Sequence, residues 1–386
     1  MMELLYELDE EKKLFRRTVR DFSEQVIRPQ VDHLWETGEF PYDIVRKMGE
    51  LGFLGLTVSE EYGGAGADTV AYVIAVEEIA KVCASTATIM SVQNSLVCQG
   101  FELFGDDSQK RAYLPRLASG ELLGAFALTE PEAGCDAAAQ RTAARLDGDS
   151  YILNGSKHFI TNGGFADLVL VFAMTNPSLG TRGISAFIVE KGTPGFTVGR
   201  EEHKMGIRGT STCELHFADC RVPASQRLGA EGQGFKIAMA LLDGGRIGIA
   251  AQAVGIAQGA LEAALQYAQT RRQFGQTIGS FQAIQWMLAD MSTRTEAARL
   301  LTYRAALAKD EANKTGARYS REAAQAKLFA SETAVWVTNR AVQIHGGYGY
   351  MKEYPVERFY RDAKITEIYE GTSEVQRMVI AGALMR

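Results

Sequence analysis

The sequence predicts an α+β protein in which helices, then strands, then helices again occupy successive stretches of one chain of 386 residues. Three observations carry this. Apolar residues recur at helical spacing in the first third. From about residue 121 the pattern changes to short β-branched or alternating runs punctuated by glycine. Beyond about 232 come long stretches with few breakers, which the low count of 8 prolines allows. Such segregation argues against an alternating βαβ sheet. The expected division is a helical domain over 1–120, a β domain over 121–232 and a second helical domain over 233–386.

The elements follow in order. Asp9, Glu10 and Glu11 place acid at a helix start, and Leu14, Phe15, Val19, Phe22 and Val26 continue it at helical spacing until Pro29 stops it. Asp106 with Gln109 three residues on reads as a capping box, and Gly120 lies just past that helix's end. In the middle region Tyr151-Ile152-Leu153 leads into Asn154-Gly155, a favoured two-residue hairpin turn. Leu168–Ala173, Ile184–Val189 and Cys213–Phe217 read as strands, with glycine turns at Gly163-Gly164, Gly192 and Gly195. Phe235–Arg272, Gln282–Asn313 and Ser320–Val342 read as long helices, the first mildly interrupted by Gly244 and Gly245.

Composition narrows the function. A net charge of −6 argues against a duplex nucleic-acid binder, which needs a basic face. The five cysteines show no CxxC spacing, so neither a disulfide framework nor a zinc knuckle is expected. The histidines are scattered (His33, His158, His203, His216, His345), and no protein metal site is expected from them. No leader is legible in Met1–Glu11, and apolar stretches such as Ile247–Ala257 are broken by glycine and glutamine; the expectation is a cytoplasmic protein with no membrane span. There is no GxGxxG after a strand, no GxxxxGK[ST] and no GxSxG elbow. The 39 glycines nonetheless suggest close approach of backbone to a ligand.

Four stretches go further. Residues 126–136 read FALTEPEAGCD, 271–275 read RRQFG, 343–349 read QIHGGYG and 365–377 read ITEIYEGTSEVQR. Together and in this order they resemble the acyl-CoA dehydrogenase family, most closely its short-chain, butyryl-CoA branch. The resemblance implies an N-terminal helical domain, a middle β-barrel or sandwich domain and a C-terminal four-helix bundle. It implies tightly bound FAD and a homotetramer built as a dimer of dimers. The implied reaction takes an acyl-CoA substrate to a trans-2-enoyl-CoA, with electrons passing to an electron-transfer flavoprotein.

It also implies roles for particular residues. Glu370 matches the base that removes the α proton, with the β hydride going to N5 of FAD. Such a base must be desolvated and aimed, since burial raises a carboxyl's pKa and makes it a better acceptor. On spacing alone Glu370 reads instead as a solvated carboxylate capping the next helix. Some family branches carry the base in the helix opening the C-terminal domain. The matching position here is Gly245, which cannot take a proton. The backbone N–H of Glu370 and a ribityl hydroxyl of FAD are the implied donors to the thioester carbonyl, with Gly371 permitting close approach of substrate. Phe126, Leu128, Thr129, Phe159, Ile160 and Thr161 match positions lining the flavin ring; Phe159 stands where tryptophan is frequent, keeping an aromatic face and losing an indole N–H. Arg271, Phe274, Gln282, Gln343, Ile344, Gly346 and Gly347 match cofactor contacts made across a dimer, and Thr372 and Glu374 match further ones after the base. Asp243 and Arg246 match positions near the pantetheine and the base. Cys135 replaces a hydroxyl residue, and a thiol is the weaker donor. Acyl chain length is expected to depend on how the Thr88–Gln99 helix packs. The alternatives are a branched-chain, cyclic or medium-chain acyl-CoA dehydrogenase, or a non-catalytic flavoprotein of the same fold.

Overall fold

The computed structural model describes residues 8–385. The N-terminal domain comprises α1 (Glu10–Phe22), α2 (Val31–Thr37), α3 (Tyr42–Glu50), α4 (Thr69–Ala80), α5 (Ala84–Val92), α6 (Gln99–Phe104) and α7 (Asp107–Ala118). The side chain of Asp9 caps α1 by accepting from Lys12 N. Pro29 does not end the helical path: it sits in a 3-10 turn, Arg28–Gln30, and helix resumes at Val31, because a proline at the head of a turn leaves no intrahelical bond unmade. The Asp106–Gln109 capping box forms in full. α4 and α5 are buried almost throughout. Ile74, Val76 and Ile79 are wholly enclosed, each contributing roughly 1.5–3 kcal/mol of transfer free energy. A π-helical segment, Gln93–Cys98, joins α5 to α6.

The middle domain holds β1 (Gly124–Ala127), β2 (Ala143–Asp147), β3 (Ser150–Thr161), β4 (Leu168–Met174), β5 (Ile184–Glu190), β6 (Phe196–Glu201), β7 (Thr212–Pro223) and β8 (Arg227–Leu228). They form one mixed sheet in the order β6-β7-β3-β2-β4-β5-β8, with β1 paired in parallel to β4. Its core gathers Tyr151, Leu153, Phe187, Leu215 and Phe217. Asn154-Gly155 is not a turn. The β2–β3 hairpin closes at Gly148 (φ 65°), and β3 runs through Gly155 at a register shift where a side chain would meet Thr142 Oγ1 at 2.6 Å. The glycine marks a close strand approach rather than a reversal.

The C-terminal domain comprises α8 (Gly234–Thr270), a short hairpin of β9 (Arg272–Gln273) and β10 (Gln276–Thr277), α9 (Gln282–Thr315), α10 (Ser320–His345), α11 (Val356–Lys364) and α12 (Ser373–Leu384). α8 runs unbroken through Gly244 and Gly245. It is long and apolar enough to cross a membrane by length and composition, but most of that stretch is buried inside the protein as its central helix. α4, α5, α9 and α10 all pack against α8. Gln93 ties the same layer to the sheet: its Oε1 accepts from Gly124 N at 2.9 Å. The three domains therefore meet around the N-terminal half of α8.

Candidate active site

The turn before α12 is built from two consecutive left-handed residues, Glu370 (φ 51°) and Gly371 (φ 92°). Glycine adopts this region freely, whereas for glutamate it costs on the order of 1 kcal/mol. Neighbours hold the turn in place. Gln376 Nε2 donates to Gly371 O at 2.8 Å and to Glu370 O at 3.3 Å, and Lys327 Nζ donates to Gly371 O at 2.7 Å. The Thr372 side chain caps α12.

The conformation aims the Glu370 side chain at α8. The residue is half-buried, and its Oε2 is buried without a hydrogen-bond partner. A Cβ placed on Gly245 would overlap that oxygen and lie 2.9 Å from the carboxyl carbon. Burial pushes the Glu370 carboxyl up to about 7, against the pull of Lys327 and Arg246. Lys327 is itself fully buried, and burial lowers it to about 8 against the attraction of Glu370. Lys327 was missed by sequence reasoning; the one available signal is a lysine among the alanines of Ala323–Ala330, on the face of α10 that must be buried.

Asp243 and Arg246 are one turn apart on α8 and form an ion pair at 2.6 Å. Arg246 is buried and its Nε has no partner. The Asp243 carboxylate is taken up on both oxygens, by Arg246 and by the Ser320 hydroxyl. Burial raises Asp243 even so. Within this chain both Asp243 oxygens are thus engaged, and the carboxylate holds the Arg246 guanidinium.

Cys135 is exposed, with its Sγ 4.0 Å from Thr372 Oγ1, so the loop after β1 reaches the base turn. Thr129 O accepts from His158 N at 2.8 Å, which sets the Phe126–Thr129 segment beside the end of β3. Phe159 (φ 57°) turns its ring outward and is 60% exposed, large for an aromatic on a strand. Leu128 and Ile160 are buried, so only their backbones can meet a ligand; Phe126 and Thr161 are half-buried. Beneath the loop, fully buried Lys157 donates to Glu130 Oε1, Gln140 Oε1 and Leu128 O, and burial lowers its pKa to about 8. Glu130 lies inside the 126–136 stretch but went unread there, since its partner is 27 residues away.

Except for Glu374, which lies beside Thr372 in the first turn of α12, the remaining candidates form a second group at the far end of the bundle. The Arg271 guanidinium lies 5.3 Å from the Tyr348 ring centroid. Arg271, Ile344, Gly346 and Gly347 line a hollow of about 550 Å³. Side chains added at Gly346 (φ 60°) or Gly347 would meet nothing. Phe274 is 92% exposed, and Gln282, Gln343 and Glu374 are exposed. The walls of the hollow include no residue of the β domain. Within one chain, then, the flavin-ring positions and the dimer-spanning positions form two separate sites.

Phe159 presents an outward aromatic face, and Asn162 Oδ1 and Ser373 Oγ are buried without protein partners. The desolvated Glu370 carboxyl, raised toward neutrality, is the group here suited to general-base chemistry.

Comparison with known proteins gives the family. The acyl-CoA dehydrogenase N-terminal, middle and C-terminal domain models match residues 9–121, 125–220 and 232–385. The short-chain specific acyl-CoA dehydrogenase of Clostridium acetobutylicum is 53% identical over 381 residues, covering 99% of this chain and 100% of the relative. The structure of butyryl-CoA dehydrogenase from Megasphaera elsdenii superposes with a TM-score of 0.96 at 50% identity, over 99% of this chain and 100% of that one. A chain from structural work on the electron transferring flavoprotein of Acidaminococcus fermentans and flavin-based electron bifurcation gives a TM-score of 0.96 at 52% identity, over 99% of both chains. The chain belongs to the acyl-CoA dehydrogenase family. It is an oxidoreductase, and its cofactor is FAD.

Proposed function

We propose that the protein dehydrogenates short-chain acyl-CoA thioesters between Cα and Cβ, with Glu370 as the base. The observation that carries this is the Glu370 carboxylate: buried, unpartnered on Oε2, raised to about 7 and seated against Gly245. An α C–H beside a thioester is a weak acid, and a base near the working pH removes it best. FAD, when bound, supplies the hydride acceptor. The chain's own groups do the rest. Glu370 takes the proton on Oε2. Its backbone N–H polarises the thioester carbonyl as negative charge develops there. Lys327 and Gln376 hold the turn that presents both groups.

The packing of α5 against α8 favours a short acyl chain. Gly248 and Gln252 continue the face of α8 on which Gly245 sits, roughly 4.5 and 10.5 Å farther along the axis. Over Gly248 lie Tyr72 and Ser91, hydrogen-bonded to each other at 2.7 Å, leaving no room for even a methyl group. At Gln252 a polar bridge closes the space: its Nε2 donates to Thr88 Oγ1 at 2.7 Å and to Ala84 O at 3.0 Å, and the Tyr369 hydroxyl donates to its Oε1. A long acyl tail would have to break these bonds and leave buried polar atoms unpaired.

An electron-transfer flavoprotein as acceptor, a homotetramer in which Arg271, Phe274 and Gln282 reach a neighbour's cofactor, and a cytoplasmic location complete the proposal. The separation of the two cofactor-contact groups within one chain supports the shared site. The experiment is anaerobic titration of the FAD-loaded protein with acyl-CoAs from C4 to C16, including branched C4 and C5 thioesters. Butyryl-CoA should bleach the flavin fastest. Faster bleaching by C8 or longer, or by a branched thioester, would overturn the short-chain reading. Glu370→Gln should keep FAD and lose the bleaching.

A further inference from the structure

Away from the base turn, the fold gathers three potential metal ligands that the sequence scatters. Among the described residues, one ligand atom from each of His158, Glu202 and Glu214 lies within 4.8 Å of the other two. His158 Nε2 stands 3.2 Å from Glu202 Oε1 and 3.8 Å from Glu214 Oε1. Ligands bound at about 2.0 Å to a tetrahedral ion sit roughly 3.3 Å apart, so these separations need little adjustment. A second imidazole follows behind: His216 Nε2 is 3.4 Å from Glu214 Oε2, and its Nδ1 is fixed 3.0 Å from Ser156 Oγ.

The cluster is produced by two strand irregularities that share one residue. In the β3–β7 ladder, Lys157 pairs with Leu215 and Ile160 with Cys213, so His158 and Phe159 together oppose Glu214. In the β6–β7 ladder, Val198 pairs with Leu215 and Glu201 with Cys213, so Gly199 and Arg200 together oppose that same Glu214. A two-against-one bulge bends its strand and re-aims a side chain. Here the bulge on β3 turns His158 toward Glu214, and the bulge on β6 brings Glu202, just past the strand end, alongside. Gly199 makes room: a Cβ there would overlap His216 Nε2 and lie 3.0 Å from Glu214 Cβ. The two carboxylates and the imidazole remain partly open to solvent, each side chain 20–28% exposed. The neighbouring Lys204 points its Nζ elsewhere, donating to Thr210 O at 2.7 Å.

We propose that His158, Glu202 and Glu214 form a binding site for one divalent transition-metal cation of the zinc class, with His216 buttressing Glu214 or supplying a fourth ligand. One nitrogen and two carboxylate oxygens suit a borderline cation better than calcium or magnesium, which favour all-oxygen shells. The bound ion pins β3, β6 and β7 together where both ladders are interrupted. The site uses no atom of Glu370 or its turn, and it adjoins the segment matched to the flavin ring through His158, whose ring lies 4.1 Å from that of Phe159.

The test uses the FAD-loaded protein, stripped with a chelator and then dialysed against Zn²⁺, with zinc counted by elemental analysis. The wild type should retain one equivalent per chain and gain a few degrees in Tm at saturating zinc. Glu202→Gln combined with Glu214→Gln should lose both the equivalent and the Tm gain. Cys135→Ser should keep them, which separates this site from the exposed thiol. If the double variant does not fold, His158→Gln takes its place, with flavin absorbance and circular dichroism as the folding check. Failure of the wild type to retain zinc, or equal retention by the ligand variants, overturns the proposal.

Discussion

The Oε2 atom of Glu370 occupies the space that a side chain at Gly245 would need, although the two residues are 125 positions apart in the chain. Carboxylate and glycine are thus two halves of one arrangement: the carboxylate reaches α8 because α8 has no Cβ there.

Gly245→Ala should accordingly cripple the enzyme. Alanine favours a helix interior over glycine by about 1 kcal/mol, so helix stability is not at risk. The added methyl instead displaces the carboxylate. The rate of flavin reduction by butyryl-CoA, followed by stopped flow, should fall at least tenfold with FAD content unchanged. An undiminished rate would show that the carboxylate acts from another position.

Lys327 should set the pH at which the base works. With Glu370 raised to about 7, flavin reduction in the wild type should climb as pH rises through about 7 and level off above it. Lys327 favours the charged carboxylate, so Lys327→Met should move that rise to higher pH, slowing the reaction about tenfold at pH 7 and much less at pH 9. Lys327→Arg keeps the charge and should restore most of the profile. A variant that merely loosened the turn would lower the rate equally at every pH.

The same burial predicts a stability signature. The folded carboxyl titrates at about 7 and an unfolded one near 4.5, so the folded state holds the proton more tightly. Below pH 4.5 both states are protonated and nothing is lost. Stability then declines as pH rises from 4.5 to 7, and above 7 the full cost of the buried charge remains. Glu370→Gln should therefore be more stable than wild type at pH 8, by on the order of 2 kcal/mol in denaturant unfolding, with the gap closing toward pH 5. A constant gap across that range would contradict the buried, uncompensated charge.

Gln252→Ala should lengthen the accepted acyl chain. It removes the bridge between Thr88, Ala84 O and Tyr369. In the same anaerobic titration the optimum should move from C4 toward C6 or C8, with butyryl-CoA losing rate. Tm should fall, because a cavity and unpaired polar atoms remain. An unchanged chain-length profile would place the limit elsewhere, at Tyr72 and Ser91 over Gly248.

Much of the fold was legible locally. The Asp106–Gln109 box, the glycine turns at Gly163-Gly164, Gly192 and Gly195, and the three long C-terminal helices formed where the spacing placed them. The Asn154-Gly155 hairpin failed because the same dipeptide signal serves a reversal and a close strand crossing, and the approach of Thr142 decided between them. β1, β2, β6 and β8 carried too little alternation over too few residues to be read.

The layout of the elements was legible in the chain, and so, through the stretches around 126–136, 271–275, 343–349 and 365–377, was the family. Those signals are local: periodicity, caps and short runs survive in one dimension. Tertiary packing set what surrounds Glu370: Lys327 and Arg246 oppose the pull of burial on it, Asp243 pairs with Arg246, and Gln252 bridges Thr88 and Tyr369. It also decided that His158, Glu202 and Glu214 meet at all. Such groupings depend on strand register, bulges and helix packing, which bring together residues tens to hundreds of positions apart and leave no periodic trace in the chain.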